Sequence, residues 1–251
     1  MQAKKIIACL DIKDGRIVKG VNFVGLRDVG DPVQAAQHYV QQGADELVFL
    51  DITATAENRK TIVELAKRVS NVVTVPFTVG GGIRSVEDAK ILLDSGVDKV
   101  SINSAAIKNP QLITDIANTF GKEHLVIAID TKLINGKWYV VTEGGNKIED
   151  IDAVEWAKEV EKLGAGEILL TSMDKDGTEQ GFDIQVTKAV CDAVNIPVTA
   201  SGGAGNMEDF LNVFKQTKVS AALGASVFHF GHVAIPELKK YLKANSIAVI
   251  N

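Results

Sequence analysis

With only two cysteines in 251 residues, no surplus of positive charge and no apolar run of membrane-spanning length, the chain excludes several classes of protein at once. Cys9 and Cys191 lack metal-ligand spacing, and a chain of this size has core enough to need no disulfide staple, so both are expected as buried thiols. A formal net charge of -5 argues against nucleic acid and anionic membranes as partners, since both call for concentrated Lys and Arg. No membrane-length run occurs, and no apolar stretch precedes a small-residue cleavage site at the N-terminus. A soluble, cytoplasmic protein is expected. Histidine is also scarce. His38 and His124 fall in or before predicted elements, and His229 and His232 lie past the last predicted strand. No metal triad, no Ser-His-Asp set and no cofactor is expected.

What the chain does have is itself, twice. Gly43-Ala44-Asp45-Glu46-Leu47-Val48 reappears as Gly164-Ala165-Gly166-Glu167-Ile168-Leu169, and Pro76-Phe77-Thr78-Val79-Gly80-Gly81-Gly82 as Pro197-Val198-Thr199-Ala200-Ser201-Gly202-Gly203. Both pairs of blocks lie 121 residues apart, a constancy that chance does not produce. Asp11 and Asp130 are 119 apart, and a two-residue insertion after Asp130 restores the register at Gly15 and Gly136. Short apolar runs at residues 5–11, 46–51, 76–79, 99–102, 124–130, 167–171, 197–200 and 219–223 predict buried strands. Helical patterns separate them. Between Asp152 and Gly164, for example, Val154, Ala157, Val160 and Leu163 recur at helical spacing, and Gly164 ends the helix. Eight strand-then-helix units could form two tandem domains or one closed barrel. No Pro-, Gly- or Ser-rich linker interrupts residues 118–124, so a single (β/α)8 TIM barrel over 1–251 is predicted, with half-barrels at about 1–122 and 123–251.

Chemistry in such a barrel sits at the C-terminal ends of the strands. Asp11 closes the first strand, Asp51 the second and Asp130 the fifth, with Asp174 and Asp176 after the sixth. A lone Asp in such a place is usually a cap or turn former. Asp11 and Asp130, however, occupy matching places in the two halves, which sets two carboxylates across the mouth from each other and suits an acid and a base. Glycines add a second signal. Gly80, Gly81 and Gly82 close the third strand, Gly202 and Gly203 the seventh, and helices are expected to start at Ser85 and Asn206. Glycine here either permits a tight turn or lets backbone N–H groups reach a phosphate at a helix N-terminus. The next strands end in Asn103-Ser104-Ala105 and Gly224-Ala225-Ser226. Two such clusters at one offset predict two phosphate sites flanking the mouth, and a ligand with a phosphate at each end.

The residues that carry these signals resemble a known family. Ile7-Ala8-Cys9-Leu10-Asp11-Ile12-Lys13-Asp14-Gly15, Val18-Lys19-Gly20, Glu46 to Thr53, Val79 to Ile83, Asp98 to Asn103, Gly164 to Ser172, Asp176-Gly177-Thr178 and Ala200 to Gly203 are similar to the cyclase subunit of imidazole glycerol phosphate synthase, an enzyme of histidine biosynthesis. The resemblance covers nearly the whole chain. It implies a lyase that uses ammonia to convert a ribulosyl aminoimidazole ribonucleotide with two phosphates into imidazole glycerol phosphate and an aminoimidazole carboxamide ribotide. It further implies that Asp11 and Asp130 are the general base and acid, that Lys19 belongs to a mobile loop over the site, and that Gly82, Asn103, Ser104, Asp176, Gly177, Gly202, Gly203, Gly224, Ala225 and Ser226 bind substrate.

Ammonia must arrive unprotonated to act as a nucleophile, which calls for a dry route. Lys5, Glu46, Lys99 and Glu167 each start a predicted strand, so they meet at the bottom of the barrel. That layer is either a stabilising ion-pair ring or, as the resemblance implies, a gate to a channel served by a glutaminase subunit docked on that face, with Asp98 near the heterodimer interface. Lys5 replaces the Arg common in relatives, which keeps the charge and loses the planar fork. The connection Asp14 to Asp31 is long and polar and reads as a lid. Asn135-Gly136 signals a hairpin, followed by a loop from Gly144 to Asp150. Asn146 and Glu149-Asp150 stand there where relatives commonly carry an arginine and a Thr-Gly, which removes a possible phosphate contact. The runner-up reading is the related phosphoribosyl isomerase, also a doubled barrel with two phosphate sites but with no need of ammonia. A third is a non-catalytic phosphate-binding barrel, against which the intact Asp11 and Asp130 argue.

Overall fold

The computed structural model describes residues 3–21, 24–52 and 59–250, with backbone alone at 19–21, 24–29 and 59. The first half runs β1 (Lys5–Lys13), β2 (Arg16–Val21), β3 (Val24–Gly30), α1 (Pro32–Gln41), β4 (Glu46–Asp51), α2 (Arg59–Ser70), β5 (Phe77–Gly80), α3 (Val86–Asp94), β6 (Lys99–Ile102), α4 (Ser104–Lys108) and α5 (Gln111–Phe120). The second runs β7 (Leu125–Ile134), β8 (Lys137–Thr142), β9 (Lys147–Asp152), α6 (Ala153–Leu163), β10 (Glu167–Ser172), α7 (Ile184–Ala193), β11 (Val198–Ser201), α8 (Met207–Gln216), β12 (Ala221–Gly224), α9 (Ser226–His229) and α10 (Ile235–Ala244). Strands β1, β4, β5, β6, β7, β10, β11 and β12 pair in that order, all parallel, and β12 returns to β1. The sheet is thus a closed (β/α)8 barrel. Helices cover its outside, and no helix among the described residues is long and apolar enough to cross a membrane.

The barrel strands agree with the sequence expectation to within a few residues, except that two run on. β1 reaches Lys13 and β7 reaches Ile134, each because an antiparallel partner holds it: Lys13 pairs with Arg16 and Ile134 with Lys137. Asp14-Gly15 (φ 51° and 74°) and Asn135-Gly136 (φ 49° and 81°) make the two-residue turns. Positive φ at both central positions gives the turn whose twist matches a hairpin, and Asp-Gly and Asn-Gly are the pairs that tolerate it. The two extra residues after Asp130 lengthen the second hairpin's arm, whose pairing extends back to Asp130 and Val141. The connection expected as a lid over Asp14 to Asp31 therefore contains a strand pair, β2 with β3. Much of the loop expected from Gly144 to Asp150 is likewise strand β9.

Helix α6 shows how local sequence fixes the layers. Asp152 accepts from the N–H groups of Val154 and Glu155, and Gly164 ends the helix with φ 107°. Between these caps Trp156, Ala157 and Val160 face the sheet. The main core lies in this layer, between strands and helices, where Phe49 and Phe77 meet edge to face with ring centres 4.8 Å apart. A second, smaller cluster of Ile7, Cys9, Val48, Val126, Leu169, Ala221 and Leu223 fills the barrel itself. Cys9 and Cys191 are buried and form no disulfide, and burial pushes the Cys191 thiol up to about 11, so it stays protonated. At the N-terminal face Lys239 of α10 binds the Asp45 carboxylate at 2.6 Å, which also accepts from the Ile6 N–H at 2.8 Å.

Candidate active site

Side chains alternate along a strand, so whatever stands two residues after an inward residue also points inward. Asp11 follows Cys9 in this way, and Asp130 follows Ala128, which packs on the inner cluster. In the strand order β1 and β7 stand four places apart in both directions, so these aspartates lie on opposite walls. Asn103 donates from Nδ2 to Asp130 Oδ2 at 2.9 Å. Its Oδ1 is buried with no partner. Thr171 of β10, beside Asp130 in register, hydrogen-bonds the same carboxylate. Burial pushes the Asp130 carboxyl up to about 7, the charge of nearby Asp176 adds to the rise, and the bonds from Thr171 and Asn103 oppose it. Near neutral pH this carboxyl both holds and releases a proton.

Asp130 lines a cavity of about 890 Å³. Its walls include Asp51, Gly80 to Arg84, Asn103, Ser104, Ala105 and Thr171, with Lys13, Arg84 and Lys108 as cations, while Glu143, Gly144 and Asn146 come from the β8–β9 turn. Gly82, Asn103 and Ser104 are thus brought together as expected. The lining does not include Asp11, nor the residues of the second cluster. Those gather elsewhere on the rim, where the loop after β10 packs on the loop after β11. The Gly181 N–H donates to the Gly203 carbonyl at 2.7 Å. A side chain on Gly202 would come within 3.4 Å of the Asp176 N. Gly177 takes φ 73°, and Gly224, Ala225 and Ser226 lead into α9. Lys19 pairs through its backbone with Arg27, and its side chain lies outside the described residues.

The glycines are required by packing in both halves. A Cβ on Gly81 would stand 2.2 Å from the Asp51 carbonyl oxygen, and one on Gly202 would stand 2.8 Å from that of Ser172, its counterpart. The helices that follow start with side-chain caps. Ser85 caps α3 by accepting from the Asp88 N–H, and Asn206 with Asp209 forms a capping box on α8, so these N-termini are already engaged. The short helices after the next strands differ. No side chain caps α4 or α9, which begin at Ser104 and Ser226. Lys13, Arg84, Lys108 and Thr171 were not singled out from sequence as site residues.

At the opposite face the four charged residues meet. Lys5 Nζ binds Glu46 Oε2 at 3.2 Å, and Lys99 Nζ bridges Glu46 Oε1 at 2.8 Å and Glu167 Oε2 at 2.9 Å. Burial works against the Lys99 ammonium, but the charges of Glu167 and Glu46 outweigh it and hold its pKa above the usual lysine value. Thr78 and Thr199 donate to Glu46 and Glu167 at 3.1 and 2.7 Å. These threonines are 121 residues apart, so the repeat contained the signal that would have found them. Asp98 is exposed beside the ring, and its carboxylate accepts from the Phe77 N–H at 2.8 Å.

Comparison with known proteins bears on this arrangement as a whole. The family model described as "Histidine biosynthesis protein" matches residues 5–234. The chain is 59% identical over 250 residues to a protein of Hydrogenobaculum sp. (strain Y04AAS1) and equally to one of Pyrococcus furiosus, covering 99% of each chain in both cases. It is 57% identical over 249 residues to a protein of Sulfurisphaera tokodaii, again over 99% of both. All three relatives carry the name imidazole glycerol phosphate synthase subunit HisF. At that identity along the whole barrel, the chain belongs to the histidine biosynthesis protein family, among its HisF-type synthase subunits.

Proposed function

We propose that the chain is the cyclase subunit of an imidazole glycerol phosphate synthase that joins ammonia to a bisphosphorylated ribulosyl aminoimidazole carboxamide ribonucleotide. The products are imidazole glycerol phosphate and an aminoimidazole carboxamide ribotide. Condensing ammonia with a carbonyl expels water, and closing the ring expels the ribotide amine. Each departure calls for a proton at the leaving atom, and each new bond for removal of one. Asp130, whose carboxyl sits near 7, is the acid, and Asp11 on the facing strand is the base. Asn103 and Thr171 orient the acid. The substrate's two phosphates are taken by α4 with Gly82, Asn103 and Ser104, and by α9 with Asp176, Gly177, Gly202, Gly203, Gly224, Ala225 and Ser226, while Lys19 closes over the substrate.

The observation that carries the assignment is the Asp130 carboxyl, held by Asn103 and lining a cavity whose walls include Gly80, Gly81 and Gly82. A synthase subunit implies a second subunit. In this reading a glutaminase docks on the N-terminal face, near Asp98, and the Lys5–Glu46–Lys99–Glu167 ring admits ammonia to the barrel. The complex works in the cytoplasm.

The test is a product assay. With the ribulosyl substrate and ammonium salts at alkaline pH, where more ammonia is unprotonated, the isolated chain is expected to form imidazole glycerol phosphate. Isomerisation of the ribosyl precursor instead assigns the chain to the isomerase reaction, and turnover of neither leaves a phosphate-binding barrel.

A further inference from the structure

The β8–β9 turn is clasped to α4. Ser104 and Lys108 lie four residues apart and so share one helix face. The Glu143 N–H donates to Ser104 Oγ at 3.2 Å, and the Glu143 carboxylate meets Lys108 Nζ at 3.5 Å. Glu143, Gly144 and Gly145 all take left-handed backbone conformations, with φ 57°, 64° and 89°. Asn146 ties the turn to itself through the Glu143 carbonyl at 2.7 Å. Every one of these groups except Gly145 lines the cavity. An acidic side chain thus lines a pocket whose helix has no side-chain cap, and it occupies one of the pocket's cations.

We propose that Lys108 binds a substrate phosphate and that Glu143 is a placeholder anion, which the phosphate displaces. This deepens the cyclase reading and rests on it. The Lys108–Glu143 contact is long and both side chains are more than half exposed, so the pair is weak and exchanges readily. A phosphate brings greater charge and three acceptor oxygens to the same ammonium. Its arrival frees Glu143, and the turn loses one of its two ties to α4. The other tie, to Ser104 Oγ, leaves that hydroxyl's own proton available to the phosphate.

The opposing possibility is that the pair merely clips the turn in place. The two roles predict different signs. If Glu143 competes with phosphate, Lys108→Ala raises the KM for the ribulosyl substrate by about tenfold, the effect of losing one charge-assisted contact. Glu143→Gln lowers it by about threefold, the worth of an exposed ion pair. Lys108→Arg keeps the charge and stays near the unmodified value. A clip predicts that Lys108→Ala and Glu143→Gln move KM in the same direction, and that result overturns the proposal. A second measurement needs no turnover. Inorganic phosphate titrated into the full chain, followed by the amide resonances of Ser104 and Ala105, should bind more weakly to Lys108→Ala and more tightly to Glu143→Gln. Equal phosphate affinity in both variants also overturns it. Phosphate binding with these opposite shifts, but with no cyclisation by any variant, would retain the anion exchange and reject the cyclase reading.

Discussion

Asp130→Asn is expected to lower ammonium-dependent turnover at saturating substrate by about two to four orders of magnitude, the usual worth of a positioned acid or base. Asn keeps the shape and can still meet Asn103, so the loss reports the proton and not the packing. Asp11→Asn on the facing strand is expected to do the same. A carboxyl near 7 also fixes a pH dependence. With protonated Asp130 as the proposed acid, turnover at a fixed concentration of free ammonia should fall tenfold per pH unit above that value. At a fixed total of ammonium salt the rise in free ammonia opposes this fall, which is why the two series must be separated. Stability should also fall as pH rises. A carboxyl whose folded pKa is raised favours folding at low pH, and that benefit is lost as pH rises from the ordinary aspartate range through 7. Above pH 7 the buried charge opposes folding, so Asp130→Asn should melt at a higher temperature than the unmodified chain. A variant that is both inactive and less stable points to misfolding instead of a missing proton.

Lys99→Ala is expected to destabilise the chain by about 3–5 kcal/mol, read from the midpoint of urea unfolding, because it strands the buried Glu46 carboxylate against the largely covered one of Glu167. Lys99 bridges Glu46 and Glu167, and Glu46 is fully buried. Thr78 and Thr199 supply hydrogen bonds to the carboxylates but no charge. The lysine's folded pKa is raised, so its contribution is fully present below the ordinary lysine range near ~10.4. It is lost only as pH rises through the folded value. The penalty of Lys99→Ala should therefore hold steady between pH 7 and 9. Replacing Glu46 and Glu167 by Gln and Lys99 by Met together should recover most of the loss, since removing a buried charge cluster whole is far less costly than breaking it. If the triple variant is as unstable as Lys99→Ala, the ring contributes through packing and not through charge.

How much of this was legible in the sequence depends on the distance over which each feature is encoded. The eight barrel strands were visible because fully buried strands are continuous apolar runs, and the facing aspartates because the repeat relates one strand end to another. The ring was visible for the same reason, with charges at four strand starts. The first hairpin was missed although Asp14-Gly15 carries the same turn signal that revealed Asn135-Gly136; the length and polarity of the segment suggested a loop. The capped starts of α3 and α8 were also encoded locally, in Ser85 with Asp88 and Asn206 with Asp209. By contrast, the bond from Asn103 to Asp130 and the clasp from Lys108 to Glu143 join residues 27 and 35 apart in the chain. No pattern of spacing announces such contacts. They exist because the barrel sets β6 beside β7 and lays the β8–β9 turn over α4.

The protonation state of Asp130 is the point on which the rest depends, and it is directly measurable. Aspartate side-chain carboxyl carbons in 13C-labelled protein can be followed by NMR across pH 4 to 9, with Asp130→Asn identifying the resonance. The carboxyl should titrate with a midpoint near 7. A midpoint near the ordinary aspartate value of ~3.9 would mean that Asp130 is a bare carboxylate at neutral pH and is not the acid.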